Sequence, residues 1–508
     1  MKKLGINTIS NIATKLWSMV SIYLFIPLYI RILGETSYGL VSFFATMQTT
    51  LNILGLGLSN TLRREFASGE NTEKNAVRKY MLLRSVENIY FVIAAMISFL
   101  CVFGSPVIAE QWLQIETLDP RMVTIVIFLM GISIAFQLVA NLYAGCLFGL
   151  EYQVDANIIC ILWSAAKSIG ALAVIWMLSP NLIYFYCWHI FTDAIYFWVL
   201  RYYSIKKLDI KTKVKWRMNN FSNIKSVWKY TCGILCISFV ALINKQLDKV
   251  IISKFLPITE LGAYNIATTL GSLSTIIPIA LYTTVFPRFT HYATTNNRLR
   301  LEKEFLKINK AVGLILSSMG AFIAVYALPL IRVWTGSEAY IEILGFVGTL
   351  VVLAVAITEY QEIPYALALA NGNTKYNVIV GGIFIPFVFF ATYIGIVKYG
   401  LVGAGMVYLV TMTAQTLIYE WMVYHKYLKV NPVRVILTDM ILPLSLSLFI
   451  AFTSKYMIEL RTLTPLAESG LAVVFGGLTL VVLFIVFMRK DMVYLLKKGK
   501  GEEQECCH

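Results

Sequence analysis

Fourteen successive stretches of mostly apolar residues, each close to the length that crosses a bilayer, dominate this 508-residue chain. A hydrocarbon core about 30 Å thick takes roughly 20 apolar residues per helix. That ruler predicts spans over residues 6–32, 36–62, 85–108, 122–147, 156–178, 181–201, 228–253, 261–286, 308–330, 344–370, 374–396, 401–424, 434–455 and 466–488. Composition agrees. Apolar residues make up 58% of the chain and charged residues 14%, against roughly half and a quarter in soluble domains. The fold class is therefore all-α integral membrane, with about fourteen transmembrane helices.

Lys and Arg number 43 against 28 Asp and Glu. In a polytopic chain such an excess marks cytoplasmic loops rather than nucleic-acid binding, and its distribution decides between the two. Between residues 201 and 229 stand Arg201, Lys206, Lys207, Lys211, Lys213, Lys215, Arg217, Lys225 and Lys229, with Asp209 as the one acid. This loop is cytoplasmic by the positive-inside rule. Arg63, Arg64, Lys74, Arg78 and Lys79 fall on the same side, as do Arg288, Arg298, Arg300, Lys303 and Lys307, and Lys426, Lys429 and Arg434. The acidic loop with Glu110, Glu116 and Asp119 falls on the other, with the turns Ser179-Pro180-Asn181 and Lys398-Tyr399-Gly400. Both termini are then cytoplasmic. No loop is long enough for a folded soluble domain, so the function belongs inside the membrane.

Laid on itself at a shift of 223 residues, the chain pairs Arg31 with Lys254, Thr36 with Thr259, Gly39 with Gly262, Thr46 with Thr269, Thr61 with Thr284 and Phe66 with Phe289. The same register brings Gly149 onto Gly372. Six spans, an even number, separate the copies, so both insert with the same orientation about an axis along the membrane normal, leaving a central cavity. The expected organisation is an N-terminal six-helix bundle over 1–203, a basic cytoplasmic linker over 204–227, a second bundle repeating the first over 228–425, and two additional helices with a cytoplasmic tail over 426–508.

Six of the eight cysteines, Cys101, Cys146, Cys160, Cys187, Cys232 and Cys236, fall in or beside apolar runs rather than in a spaced framework, which argues against a disulfide scaffold. Cys506, Cys507 and His508 lack the partners a metal site needs. No cofactor and no metal is expected. The start Met1-Lys2-Lys3 leads into a long segment without a small-residue cleavage site, so the first span is expected to be retained. Four scattered histidines and the lack of any phosphate-binding Gly-rich loop argue against an enzyme and against ATP hydrolysis.

Charges inside spans are costly and face a bundle interior or a watery cavity, which makes each a functional candidate. Lys15, Lys167 and Asp193 belong to the first half; Lys245, Asp248, Lys249, Glu359 and Glu362 belong to the second. Lys245, Asp248 and Lys249 share one helix face at i, i+3 and i+4. They either fix their helix as a local pair, with the outer lysine reaching the surface, or line a cavity that receives an anion. Lys167 is too deep to snorkel and needs a partner, either Asp193 or an anionic ligand. Lys15, about three turns inside its span, is open to both readings. Glu359 and Glu362 precede Pro364, which can bend the helix, and suit either a proton or cation site or a salt bridge to the lysines. Gln48 in the second span and Gln137 and Asn141 in the fourth form polar stripes that serve packing or function equally.

The run Pro27-Leu28-Tyr29-Ile30-Arg31-Ile32-Leu33-Gly34-Glu35-Thr36-Ser37-Tyr38-Gly39-Leu40 resembles the exit of the first helix and start of the second in Wzx-type polysaccharide transporters of the multidrug/oligosaccharidyl-lipid/polysaccharide superfamily. Arg63-Arg64-Glu65, Asp248-Lys249, Leu261-Gly262-Ala263-Tyr264-Asn265-Ile266-Ala267 and Pro287, closing the eighth helix, are similar to further features of that family. The resemblance implies a flippase that moves an undecaprenyl-diphosphate-linked oligosaccharide, such as an O-antigen repeat unit, across the bacterial inner membrane by alternating access. The depth and helical spacing of the charges in the spans point to a cavity lined by Lys15, Arg31, Lys167, Lys245, Asp248 and Lys249, with ion coupling at Glu359, Glu362 or Asp193. The implied partners are the lipid-linked oligosaccharide, membrane lipids, a polysaccharide polymerase and a chain-length regulator, around a monomer that binds no nucleic acid. An ion-coupled multidrug exporter of the same superfamily is the alternative, favouring cationic substrates and an acidic cavity. A membrane-embedded polysaccharide polymerase is the alternative of a different class, which would carry a large extracytoplasmic loop.

Overall fold

Asp119, Asn181, Asn297 and Asn431 each stand just before a helix and turn a side-chain oxygen onto its first free amides. Asn181 accepts from the Ile183 amide at 2.8 Å and Asn431 from the Val433 amide at 3.0 Å. Pro120 and Pro432 follow at the first helical position, where a missing N–H costs nothing. Such caps set where the chain of this computed structural model re-enters helix after each turn. The structure describes residues 2–67, 73–115, 117–208, 228–460 and 463–505. Most of the expected basic linker, residues 209–227, lies outside them, as do Glu116, Cys506, Cys507 and His508.

The helices are α1 (Lys2–Leu33), α2 (Glu35–Ala67), α3 (Glu73–Val107), α4 (Pro120–Gly149), α5 (Gln153–Met177), α6 (Leu182–Lys207), α7 (Trp228–Phe255), α8 (Ile258–Gly271) and α9 (Ile276–Thr294). They continue as α10 (Arg298–Val325), α11 (Ala327–Thr335), α12 (Glu338–Thr358), α13 (Glu362–Ala370), α14 (Lys375–Tyr427), α15 (Pro432–Ile436), α16 (Leu442–Glu459) and α17 (Pro465–Glu505). Among the described residues, 10 helical segments are long and apolar enough to cross a membrane on length and composition alone. One of these, α14, holds two spans, because Gly400 inside it has φ 58° and ψ −139°, outside the helical region. With α2, whose two parts pass that test together across a bend, and the long helices α6 and α7, this makes the fourteen expected spans of a multi-pass membrane protein.

Two spans break where the sequence predicts something else. Glu359–Gln361 is a 3-10 turn, and α13 begins at Glu362, so Pro364 lies in the first turn of a new helix rather than bending an old one. The reason is that Pro364 has no N–H to give the Tyr360 carbonyl, and the chain tightens one turn ahead of it. Likewise Ser272–Thr275 is a 3-10 turn ahead of Pro278. Pro287 does not close its helix: α9 continues past it to Thr294.

The chain divides into two compact units, Met1–Gly262 and Ala263–His508. In the first, α4 is the central helix, with Val126, Ile127, Met130, Ile134, Leu138 and Leu142 fully buried against α2, α3 and α6. Lipid tails are as apolar as these side chains, so close fit rather than water exclusion holds the helices together. The expected boundary at residues 204–227 does not coincide with this division, because α7 packs on α2. Trp112, in the π turn after α3, donates its indole N–H to Ser253 at 3.0 Å, and Lys254 lies over the Trp112 ring at 5.4 Å.

In the second unit, α10 is central. Phe322, Val325 and Tyr326 pack with Ala451 and Ile458 of α16 and Ala472 of α17. Ser318 donates to the Gly476 carbonyl at 2.7 Å, and Lys455 to the Val325 carbonyl at 3.1 Å. The two additional helices are thus part of this unit's core rather than an appendage.

Candidate functional site

α5 and α6 lie side by side and bring Lys167 and Asp193 together near the middle of both helices. Lys167 sits about 20 Å from the start of α5 and about 15 Å from its end, by the rise of 1.5 Å per residue. Its ammonium reaches both oxygens of Asp193, each at 3.0 Å. Asp193 is fully buried and accepts three further hydrogen bonds: from the Trp163 indole at 3.0 Å, from Ser133 at 2.5 Å and from Gln137 at 2.8 Å. Gln137 in turn accepts from Gln48 of α2. A charge this deep in a low-dielectric setting persists only when paired and hydrogen-bonded, and here both conditions are met.

The surrounding wall is aromatic. Lys167 lies over the rings of Trp163 at 5.2 Å and Phe44 at 5.9 Å, and Trp163 stacks on Tyr196 at 4.3 Å. His189, one turn before Asp193, is buried among Phe44, Phe185 and Tyr186. Its Nδ1 atom is buried without a hydrogen bond.

The sequence raised Lys167 and Asp193 as one possible pair, and they are one. Gln48 and Gln137, which looked ambiguous, join the same network. Asn157, farther along α5, donates to Ser10 and Asn11 at 2.8 and 2.7 Å and ties α5 to α1. Lys15 and Arg31 on α1 and Lys245 on α7 are exposed, Lys249 is half-buried and Asp248 is buried. The Asp248 charge acts on Lys249. In the second unit Glu359 is buried in the 3-10 turn, while Glu362 is half-buried and acts on Tyr365 and Tyr282, whose rings stack at 6.1 Å.

Three buried carboxyls were missed: Glu87, Glu420 and Asp439. All lie inside expected spans, so an acid within a span was the signal that could have found them. Glu87 is held by Arg84 at 2.5 Å, Arg201 at 3.0 Å and the Tyr143 hydroxyl at 2.6 Å, which joins α3, α4 and α6. His189, one of the four scattered histidines, stands four residues before Asp193, a spacing that marks the shared face.

The fold matches solved transporters. The chain is similar to the lipid II flippase MurJ in an inward closed conformation, with a TM-score of 0.71, 15% identity, and 96% of this chain and 99% of that one covered. It is similar to an inward-facing multidrug resistance MATE family transporter, with a TM-score of 0.65, 12% identity, and 84% and 96% covered. A superfamily transporter from Pyrococcus furiosus, described by the reversed polarity of its binding pocket, matches with a TM-score of 0.52, 12% identity, and 84% and 93% covered. No curated protein matches the chain by sequence. The family profile described as polysaccharide biosynthesis protein matches residues 1–293. With more than half of its length matched and its helices arranged as in these transporters, the chain belongs to the polysaccharide biosynthesis protein family, on the fold of the multidrug/oligosaccharidyl-lipid/polysaccharide superfamily.

Proposed function

We propose that the chain is a flippase that carries an undecaprenyl-diphosphate-linked oligosaccharide, such as an O-antigen, capsule or exopolysaccharide repeat unit, from the cytoplasmic to the outer face of the bacterial inner membrane by alternating access. The observation that carries this reading is the exposure of Lys245. It stands about 15 Å from one end of α7 and about 25 Å from the other. An open cation at that depth is not tolerated against lipid tails, so the face of α7 that bears it borders water. Lys15 and Arg31 add exposed cations on α1 of the same unit. A diphosphate headgroup is anionic and hydrated, its polyprenyl tail can stay in lipid, and phosphate attracts lysine as a point charge.

A cation exporter on this fold needs an open acid. Asp193, a fully buried acid near the middle of α6, is already filled by Lys167 and three further donors, which favours the flippase. We assign ion coupling to Glu359 and Glu362; flipping that continues at full rate after ion gradients are collapsed overturns that assignment.

The test is flipping of a fluorescent undecaprenyl-diphosphate oligosaccharide in proteoliposomes. A charged hydrogen bond contributes about 1.5–3 kcal/mol, so Lys245→Ala is expected to slow flipping by about tenfold or more with the unfolding midpoint unchanged. Full rate after Lys15, Lys245 and Lys249 are all replaced by Ala overturns the reading.

A further inference from the structure

Glu87, which joins α3, α4 and α6, also gathers charge of one sign. Its two oxygens are taken by Arg84, one turn earlier on α3, and by Arg201, near the end of α6, with the Tyr143 hydroxyl as a further donor. The carboxylate is buried, while the side chains of Arg84 and Arg201 are 24% and 25% exposed. Guanidinium groups stay charged. Two of them on one carboxylate leave the cluster one positive charge in excess.

A guanidinium carries five N–H groups in a fixed fork. Arg201 gives Glu87 its Nε–H. The four on its terminal nitrogens remain, and among the described residues no other carboxylate and no carbonyl takes them. The buried acid thus holds the fork from behind and removes in advance much of the rotamer freedom that a surface arginine loses on binding.

Along α6, Phe191, Ile195, Trp198 and Tyr202 stand at i, i+4, i+7 and i+11, and all four are exposed, so they form one stripe. On a membrane-spanning helix such a stripe meets lipid. Its chemistry changes along its length. Phe191 and Ile195 are apolar throughout, whereas Trp198 and Tyr202, 59% and 62% exposed, are the residue types that sit at the headgroup level. Lys206 follows, exposed, over the Tyr202 ring at 5.7 Å. Arg201 lies over the Trp198 ring at 5.7 Å, which brings its open edge to that same level. On α3, Phe91 is exposed two turns from Arg84 and meets Phe197 of α6 at 6.2 Å, so the apolar face continues between the two helices. Lys207 is turned elsewhere and pairs with Asp155 at 3.1 Å.

We propose that Arg84 and Arg201, held by Glu87, bind the phosphate of an anionic phospholipid of the cytoplasmic leaflet, with its acyl chains along Phe91, Ile195 and Trp198. An arginine fork meets phosphate oxygens through two parallel N–H bonds. A zwitterionic headgroup carries no net charge and leaves the excess of the cluster unopposed. The basic run of Arg201, Lys206 and Lys207 puts this end of α6 at the cytoplasmic face by the positive-inside rule, where anionic lipids attract such clusters. The inference does not depend on which cargo the transporter carries.

Native mass spectrometry of the purified full-length protein, titrated with phosphatidylglycerol or with phosphatidylcholine of the same acyl chains, tests this. The first phosphatidylglycerol is expected to bind about tenfold tighter than the first phosphatidylcholine. Arg201→Gln, which leaves Glu87 its bonds from Arg84 and Tyr143, is expected to remove about tenfold of the phosphatidylglycerol affinity and to leave phosphatidylcholine unchanged. If that variant does not accumulate, Arg84→Gln, Glu87→Gln and Arg201→Gln together strand no buried charge and are expected to equalise the two lipids. Equal affinities in the parent protein overturn the proposal, as does a preference for phosphatidylglycerol that survives the triple substitution. Release of bound phosphatidylglycerol by an equal concentration of inorganic phosphate, or of undecaprenyl diphosphate, gives the site to a different anion and overturns it as well.

Discussion

Lys167 shows how an ionised group survives in the middle of a membrane protein. Its charge is opposed by Asp193, and that carboxylate is hydrogen-bonded from α4 and α5 as well. Removing the ammonium alone strands a buried carboxylate, a change that costs about 3–5 kcal/mol when one partner of a buried pair is lost. Lys167→Ala is therefore expected to lower the thermal unfolding midpoint strongly, and Lys167→Ala with Asp193→Asn to regain most of the loss. If the double variant is no more stable than Lys167→Ala, the charge pairing is not what makes the lysine necessary. The depth of Lys167 was legible in the sequence, and so was its need for a partner. The choice of Asp193 was not, because it stands 26 positions along the chain, across a turn, and only the packing of α5 on α6 closes the gap.

At the scale of elements, the junctions followed local chemistry and the breaks followed prolines, though not always at the proline itself. Gly400 was expected in a turn, and it is the residue that divides α14 into two spans, in a conformation that side chains resist. Gly400→Ala should cost about 1–3 kcal/mol, read as a fall in the unfolding midpoint, whereas Gly382→Ala in the same helix, where a Cβ meets open space, should leave the midpoint unchanged or raise it. Gly149 and Gly372, paired by the internal repeat, turn out to be glycines for different reasons. Gly372 has φ 71° in the turn after α13, while a Cβ on Gly149 would come within 2.7 Å of the Arg63 carbonyl of α2. A repeat in the letters can preserve a residue while the demand on it changes.

At the scale of the whole molecule, the basic loops predict which side each turn faces. A membrane-impermeant maleimide applied to intact cells should label Asp119→Cys and spare Asn297→Cys, in a background without the exposed Cys187. Labelling of Asn297→Cys but not Asp119→Cys would reverse the assigned orientation. The two halves also differ in what they bury. The repeat shift lays Glu87 on Lys310 and Arg201 on Tyr424, so the residues of this ion pair in the first unit have no counterparts of the same charge in the second. By itself the sequence determined the class and its run of membrane-spanning helices, because bilayer thickness and backbone hydrogen bonding leave an apolar chain few choices. Tertiary structure decided which charges are spent. Whether a buried lysine or glutamate is paired, protonated or open to a ligand depends on atoms brought from helices distant in the chain, and no local pattern records those contacts.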